Sequence, residues 1–352
     1  MSSYQKMPDS TQRFLVIRLS SMGDIVHALP AVAALGETFP EAEIHWAVET
    51  RHASLLDGNP FVHQVLTLDT LGWRRRLTSL QTLKAVARAV GVLREFEFDI
   101  AIDFQGLYKS AVIAWLSRSR ERLGFAKNWL REPAAGIFYT ERVAPQGRAH
   151  VIERNLALVE RLGARAERWQ FPLPHTDRDE SYVEGQLAGL GARQFIVINP
   201  GGGWKSKCWA PERYVELIRR LEPEFPGEIL LTGSPEEEGL IQGIIQSAGT
   251  RRAKYLPTTI IQFIALVRRA KLFLGGDTGP LHLAAAVGTA LVAIYGPTDP
   301  ARNGPFSKAD ITLWNRGPVD YTRRASLPTY LPGVSVESVL AAIRERLARV
   351  DE

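Results

Sequence analysis

At 352 residues the chain is long for a single core and comfortable for two. Its 45% hydrophobic and 23% charged residues exclude a disordered protein, and the net charge of +5 is modest. One cysteine, Cys208, excludes an internal disulfide and fits a reducing compartment. No run reaches the ~18 to 20 apolar residues of a membrane span, and the N-terminus is polar rather than signal-like. The expected location is therefore cytoplasmic, at most lying against a membrane.

The first predicted strand is FLVIRL, Phe14 to Leu19. It runs into LSSMGDIVHALPA, a glycine-bearing turn that opens a helix. Nucleotide-binding folds hold phosphates at such a turn, yet Asp24 would repel one. Asp24 and His27 share a helix face, but no third ligand accompanies them, which argues against zinc. Strands EIHWAVE (from Glu43) and VLTLD (from Val65) follow.

Between Thr70 and Arg131 twelve Lys or Arg stand against five Asp or Glu, an excess larger than that of the whole chain. Trp73-Arg74-Arg75-Arg76 precedes an amphipathic stretch expected to bury Leu80, Leu83, Ala87, Val90 and Leu93, with Lys84 and Arg88 on another face. A fourth strand, DIAIDF, starts at Asp99.

After the proline-bearing stretch FPLPHTDRDE (Phe171 to Glu180) a second series begins: FIVINPG at 195, EILLTG at 228, LFLGGD at 272 and LVAIYG at 291. Near-continuous apolar strands alternating with helices predict parallel sheets covered on both faces. The expected fold is α/β with two doubly wound, Rossmann-like domains facing a central cleft: residues 1–175, residues 176–330, and a helix in 331–352 packing back on the first domain. Asp177-Arg178-Asp179 has the DxD pattern of metal-dependent sugar transferases but falls in the linker, where it reads as surface charge.

Ligands of open α/β sheets bind beyond the carboxyl ends of the strands. LFLGGDTGPLHLAAAVG ends a strand at Gly275-Gly276 and opens a helix at Asp277-Thr278-Gly279, with Pro280 in its first turn. Unpaired N–H groups there suit a diphosphate. Gly279 admits the anion, and Thr278 can cap the helix or donate to a phosphate oxygen. Asp277 is expected to meet a ribose hydroxyl or a backbone amide, and His282 shares the Thr278 face.

The loop NPGGGWKSKCWAPERY, from Asn199, sets three glycines, including Gly202, and two lysines, Lys205 and Lys207, between a strand and a helix. It is neither a P-loop nor a dinucleotide fingerprint, though lysine beside glycine suits phosphate. Cys208 reads as packing. LTGSPEEE, from Leu231, could offer acids such as Glu237 to a ribose. With phosphate placed in the second half, Asp24 is free to face the other substrate as a general base, or to do no more than stabilise its helix N-terminus.

SSMGD, DFQGLYKSA, HVIERN, KCWAPERY, DTGPLHLAAAVG and YGPTDP, taken in order, resemble glycosyltransferase family nine, the ADP-heptose:lipopolysaccharide heptosyltransferases. SSMGD and YGPTDP lie nearer its heptosyltransferase I branch. The resemblance implies the GT-B architecture, with the sugar nucleotide on the C-terminal domain. It implies Asp24 as catalytic base and Lys207 against the diphosphate. Gly202, Lys205, Glu237, Asp277, Thr278, Gly279 and His282 would line the ADP-sugar. Ser21, Gly23, Arg74, Arg75, Arg76, Gln105, Lys109, Arg131 and Arg154 would meet an anionic glycolipid acceptor, the Kdo inner core of lipid A.

The implied reaction is inverting and needs neither metal nor cofactor. The implied setting is a monomer at the inner membrane, with no nucleic-acid partner. Spacing does not choose between Lys205 and Lys207. Alternatives are a related transferase with another nucleotide sugar or acceptor, a nucleotide-dependent oxidoreductase, and a noncatalytic nucleotide or glycan binder.

Overall fold

The structure is a computed structural model that describes residues 12–76, 79–316, 331 and 333–351. The chain divides into two compact units, Met1–Pro174 and His175–Glu352.

In the first unit the strands are β1 (Arg13–Ile17), β2 (Glu43–Glu49), β3 (Gln64–Leu68), β4 (Ile100–Asp103), β5 (Glu121–Phe125) and β6 (Glu141–Val143). The helices are α1 (Met22–Val26), α2 (Leu29–Thr38), α3 (Thr70–Arg75), α4 (Leu80–Glu95), α5 (Tyr108–Leu116) and α6 (Val151–Glu160). All neighbouring strands pair in parallel, in the order β3-β2-β1-β4-β5-β6.

The second unit repeats that plan. Its strands are β7 (Phe195–Asn199), β8 (Glu228–Leu231), β9 (Ala253–Tyr255), β10 (Leu272–Gly276), β11 (Leu291–Tyr295) and β12 (Ile311–Trp314), ordered β12-β11-β10-β7-β8-β9. Its helices are α7 (Asp177–Leu190), α8 (Pro211–Leu221), α9 (Glu238–Ala248), α10 (Ile260–Arg269), α11 (Gly279–Ala286), α12 (Pro300–Asn303) and α13 (Val336–Asp351). Each unit thus has the doubly wound order that reverses beside its first strand. The reversal lies between β1 and β4 in one unit and between β7 and β10 in the other.

The eight apolar runs all form strands, seven inside a sheet, where a strand covered on both faces is largely apolar, and one, β3, at an edge with Gln64 and Thr67 exposed. Phe14 to Ile17 and Phe195 to Ile198 are accordingly buried along their whole length. Strands β5, β6, β9 and β12 had no comparable run. They are short and carry polar residues such as Glu121, Arg142 and Lys254, and three of the four close a sheet edge.

Two packing expectations are corrected. Helix α13 was expected on the first domain, but Val336, Val339, Leu340, Ala342 and Ile343 join the second unit's core with Trp209, Tyr214 and Leu217. Trp209 Nε1 and Arg213 Nη1 both donate to the Val334 carbonyl, at 2.9 and 2.5 Å, and fix the chain where the helix begins.

In α4 Thr82 and Leu93 are buried and Val86, Ala89 and Val90 half-buried, so Leu93 lies inward as expected, but Leu80 is 74% and Leu83 55% exposed and Ala87 is exposed. The helix has apolar side chains on two faces, and spacing alone selected the outer one. Only Leu93 lies firmly in the core, beside Phe98 and Ile113.

Candidate functional site

Asp24, Gln105, Lys207 and the Asp277-Thr278-Gly279 turn fall on loops at the two reversal points, where a loop from each of two diverging strands can meet, whereas Arg74 to Arg76, Arg154 and Glu237 follow other elements. In the first unit these loops follow β1 and β4. Arg18 leaves the end of β1 with an 8% exposed side chain, and its Nη1 donates to the carbonyl of Phe104, just beyond β4. Its Nη2 lies 2.5 Å from Asp24 Oδ1.

The other carboxylate oxygen of Asp24 accepts from the backbone N–H and the hydroxyl of Ser21, at 3.0 and 2.9 Å. Asp24 is the third residue of α1, so this backbone bond is the reciprocal half of a capping box. Helix capping and a held carboxylate are thus one arrangement. Burial pushes the Asp24 carboxyl up, but the Arg18 charge, the two Ser21 donors and the His27 charge outweigh it and hold it well below the usual carboxylate range. Its side chain remains 36% exposed and can accept a further proton donor.

The loop after β4 is organised by Asp103, fully buried and absent from the sequence-based site. One oxygen accepts from Gln105 and Gly106 N–H, at 2.8 and 3.1 Å, and the other from Ser110 Oγ and Tyr139 Oη, at 2.8 and 2.7 Å. Gly106 takes a positive φ of 66° to let the loop turn. Gln105 Oε1 then accepts from Leu19 N–H at 2.8 Å, which ties this loop to the SSMGD turn. Burial raises the Asp103 carboxyl despite its four donors.

Lys109 Nζ lies 3.8 Å from the buried Glu49, which also accepts from Thr70 Oγ1. Burial lowers the Lys109 ammonium, Glu49 counteracts this, and Arg51 and Arg74 add like charge. Lys109 and Arg74 therefore share one cationic neighbourhood. Arg75, Arg76 and Arg131 are exposed. Arg154 lies elsewhere, on α6, with its guanidinium 5.2 Å from the Trp129 ring centroid and Nε donating to Arg148 O.

In the second unit the loops follow β7, β8 and β10. A Cβ at Gly201 would collide with the Glu237 carboxylate, and one at Gly202 would meet the Thr278 methyl at 2.8 Å. The glycines therefore let three loops close on each other. Glu237 is turned inward on its own loop, accepting from Ser234 N–H at 2.8 Å. Lys205 is exposed, whereas Lys207 Nζ lies 2.5 Å from Asp277 Oδ2 and 4.9 Å from the Trp204 ring centroid. The structure thus sets Lys207, not Lys205, beside the start of α11.

Asp277 was expected to meet a ribose hydroxyl or backbone amide. Instead it is 4% exposed and receives four side chains. Thr298 Oγ1 donates at 2.7 Å to the oxygen that Lys207 occupies, and Asn303 Nδ2 at 2.7 Å to the other, with His282 Nε2 3.2 Å from it. Burial pushes this carboxyl up, but His282 and Lys207 hold it well below its usual range. Asp277 is the hub that orients a lysine and a histidine at the mouth of a helix.

Thr278 does not cap α11 with its side chain; its hydroxyl turns back to Gly276 O at 3.3 Å. Gly279 opens the helix. Cys208 is buried, its thiol pushed up to about 11 chiefly by that burial, which suits packing rather than chemistry.

Arg18, Asp103, Thr298 and Asn303 escaped the sequence-based site because each acts through a partner distant in sequence. Asp103, which opens the DFQGLYKSA motif, and Thr298, inside YGPTDP, were the two flagged by their surroundings. Among the described residues no three His, Cys, Asp or Glu gather as a metal-ligand set, and no helix is long and apolar enough to cross a membrane.

The family described as glycosyltransferase family 9 (heptosyltransferase) matches residues 86–327. Lipopolysaccharide heptosyltransferase 1 of Pseudomonas aeruginosa is 29% identical over 306 residues, 86% of this chain and 83% of that protein. Its Escherichia coli K12 counterpart is 29% identical over 300 residues, covering 84% and 91%. Among solved structures, E. coli heptosyltransferase WaaC with ADP superposes with a TM-score of 0.78 at 26% identity, over 95% of this chain and all of that one. A family 9 glycosyl transferase from Veillonella parvula gives 0.82 at 19% identity over 98% of this chain and 100% of that one, a likeness of fold. Two parallel-sheet α/β units of this kind are the GT-B architecture expected from the sequence. With match, topology and site loops in agreement, this chain belongs to glycosyltransferase family 9 and is an enzyme of the heptosyltransferase class.

Proposed function

We propose that this enzyme transfers heptose from ADP-heptose to the Kdo inner core of lipid A, at the cytoplasmic face of the inner membrane, with inversion and without a metal ion. What carries this reading is that one unit holds an ionised, partly open carboxylate, Asp24, at its reversal point, and that the other, taken by itself, holds a lysine, Lys207, at a helix N-terminus. A relative solved with ADP-2-deoxy-2-fluoro heptose, E. coli WaaC, supports the donor. The relatives named lipopolysaccharide heptosyltransferase 1 support a lipopolysaccharide acceptor.

In this reading Asp24 accepts the proton of the Kdo hydroxyl as its oxygen bonds to the anomeric carbon of heptose. The bond from that carbon to the ADP oxygen breaks with its electron pair on ADP. Attack from the face opposite the leaving group inverts the centre. Lys207 and the first-turn N–H groups of α11, from Gly279, meet the developing charge. Thr278, His282, Gly202 and Glu237 border the same opening and bind the ADP-sugar. Lys109, Gln105, Arg74 to Arg76, Arg131 and Arg154 bind acceptor anions, beside Ser21 and Gly23.

The test is incubation with ADP-heptose and Kdo-bearing lipid A, with product mass and anomeric configuration read out. One heptose added with inverted configuration, undiminished by a chelator, is expected. Asp24→Asn should keep its ADP affinity and lose about 10²- to 10⁴-fold in turnover. Lys207→Ala should weaken both ADP binding and transfer, and Lys205→Ala should change them less. An active Asp24→Asn enzyme would remove the base from this scheme.

A further inference from the structure

The outer face of α4 is unexplained by the fold and by the reaction. Leu80 and Leu83 are 74% and 55% exposed, and with Ala87 they follow the i, i+3, i+7 spacing of one helix face. Lys84 and Arg88 flank that strip, both exposed. The inward side of the helix is elsewhere, along the buried Thr82 and Leu93 and the half-buried Val86 and Ala89, so the strip is not a poorly packed core. Further exposed apolar side chains, Leu71 at 40% and Val92 at 36%, lie on α3 and at the end of α4.

Charge selects what this face fits. From Thr70 to Glu95 there are six cations (Arg74, Arg75, Arg76, Lys84, Arg88 and Arg94) and one acid, Glu95. Protein interfaces deplete charge from their centre and carry both signs at the rim, whereas leucines beside uniform cations characterise helices that lie in a lipid interface. Long cationic stems can lie along the apolar layer while their heads reach phosphates.

We infer that the Leu80–Leu83–Ala87 face of α4, with Lys84 and Arg88, is a docking surface for an anionic lipid bilayer. Leu80 and Leu83 enter the boundary between headgroups and acyl chains, and the cations meet lipid phosphates. The inference deepens the reading of a lipid-borne acceptor, because it names the surface that would bring the first unit to it.

The experiment is sedimentation of the full chain with vesicles of equal parts phosphatidylcholine and phosphatidylglycerol, against phosphatidylcholine alone, with no acceptor or donor present. Salt-sensitive binding to the mixed vesicles is expected. Leu80→Glu/Leu83→Glu should weaken it about tenfold or more. Lys84→Gln/Arg88→Gln should weaken it about fivefold for each cation removed. Thermal melting should be unchanged in all of them, since these side chains are exposed.

Equal binding to both vesicles, or variants that bind like the parent chain, would overturn the proposal. So would a change in the mass of the vesicle-free protein in Leu80→Glu/Leu83→Glu, which would mark the face as a protein contact. Parallel turnover separates the two readings: a chain that binds vesicles without transferring heptose refutes the activity and leaves the docking surface standing. A chain that transfers heptose but ignores the vesicles refutes the docking surface alone.

Discussion

Arg18 shows how one buried cation can serve two loops. It is anchored on Phe104 O and directed at Asp24 Oδ1, so it both joins the loops after β1 and β4 and keeps the carboxylate charged. Burial alone would raise the Asp24 carboxyl, and Arg18 is the largest opposing influence. If Asp24 is the base, it must be ionised to act, so removing the cation must move the acid limb of the pH–rate profile to higher pH. Arg18→Met is expected to do so and Arg18→Lys to restore part of the shift; a limb that stays in place would show that Arg18 only fills space. Asp277 poses the complementary case. Its carboxyl is held below its ordinary value of 3.8, so its stabilising effect is full above that value and is lost as pH falls through the lower, folded-state value. Asp277→Asn weakens bonds to Lys207, Thr298, Asn303 and His282 and should cost about 1–3 kcal/mol at neutral pH. In urea melts that difference should narrow as the pH drops below about 4.

Helix α4 was recognised from periodicity with its inward face misassigned in part, and the C-terminal helix was expected against the wrong unit. Periodicity gives the angular separation of apolar side chains about a helix axis, but not which neighbouring element offers a matching surface. For α13 that surface is α8 with strands β10 to β12, and Val339, Leu340 and Ile343 are fully buried against it. Leu340→Ala should therefore destabilise the second unit by about 2–5 kcal/mol through lost burial and the cavity left behind. Calorimetry can tell the units apart, because ADP raises the transition of whichever unit binds it. Leu340→Ala is expected to lower the ADP-sensitive transition, and a lowering confined to the other transition would contradict the packing seen here. In α4 the apolar residues encircle too much of the helix for any one face to be chosen from spacing, so exposure decides the matter.

Taken together, the two units run the same construction twice, and the site loops lie where each sheet reverses its winding. Much of this was readable from the chain. Eight strands carried their signal because a strand between two helical layers must be apolar throughout, and the six ordered motifs marked the family. Of the four silent strands, β6, β9 and β12 lie at sheet edges, where solvent on one side relaxes that requirement, and the interior β5 begins on the polar pair Glu121-Arg122. Asp24, Lys207 and the Asp277-Thr278-Gly279 turn could be singled out because glycine turns and helix starts have local chemical signatures. What local chemistry could not convey was partnership. Arg18 reaching Phe104, Asp103 gathering Tyr139, and Asp277 collecting Lys207, Thr298 and Asn303 all join residues far apart in the chain, whose proximity depends on strand order. Composition and pattern settled the class of fold and the kinds of side chain available, since both follow from period and polarity. Which lysine meets Asp277, which face of α4 meets solvent, and which carboxylates hold structure together were decided by packing, because only the assembled sheets and helices bring residues distant in the chain within hydrogen-bond reach.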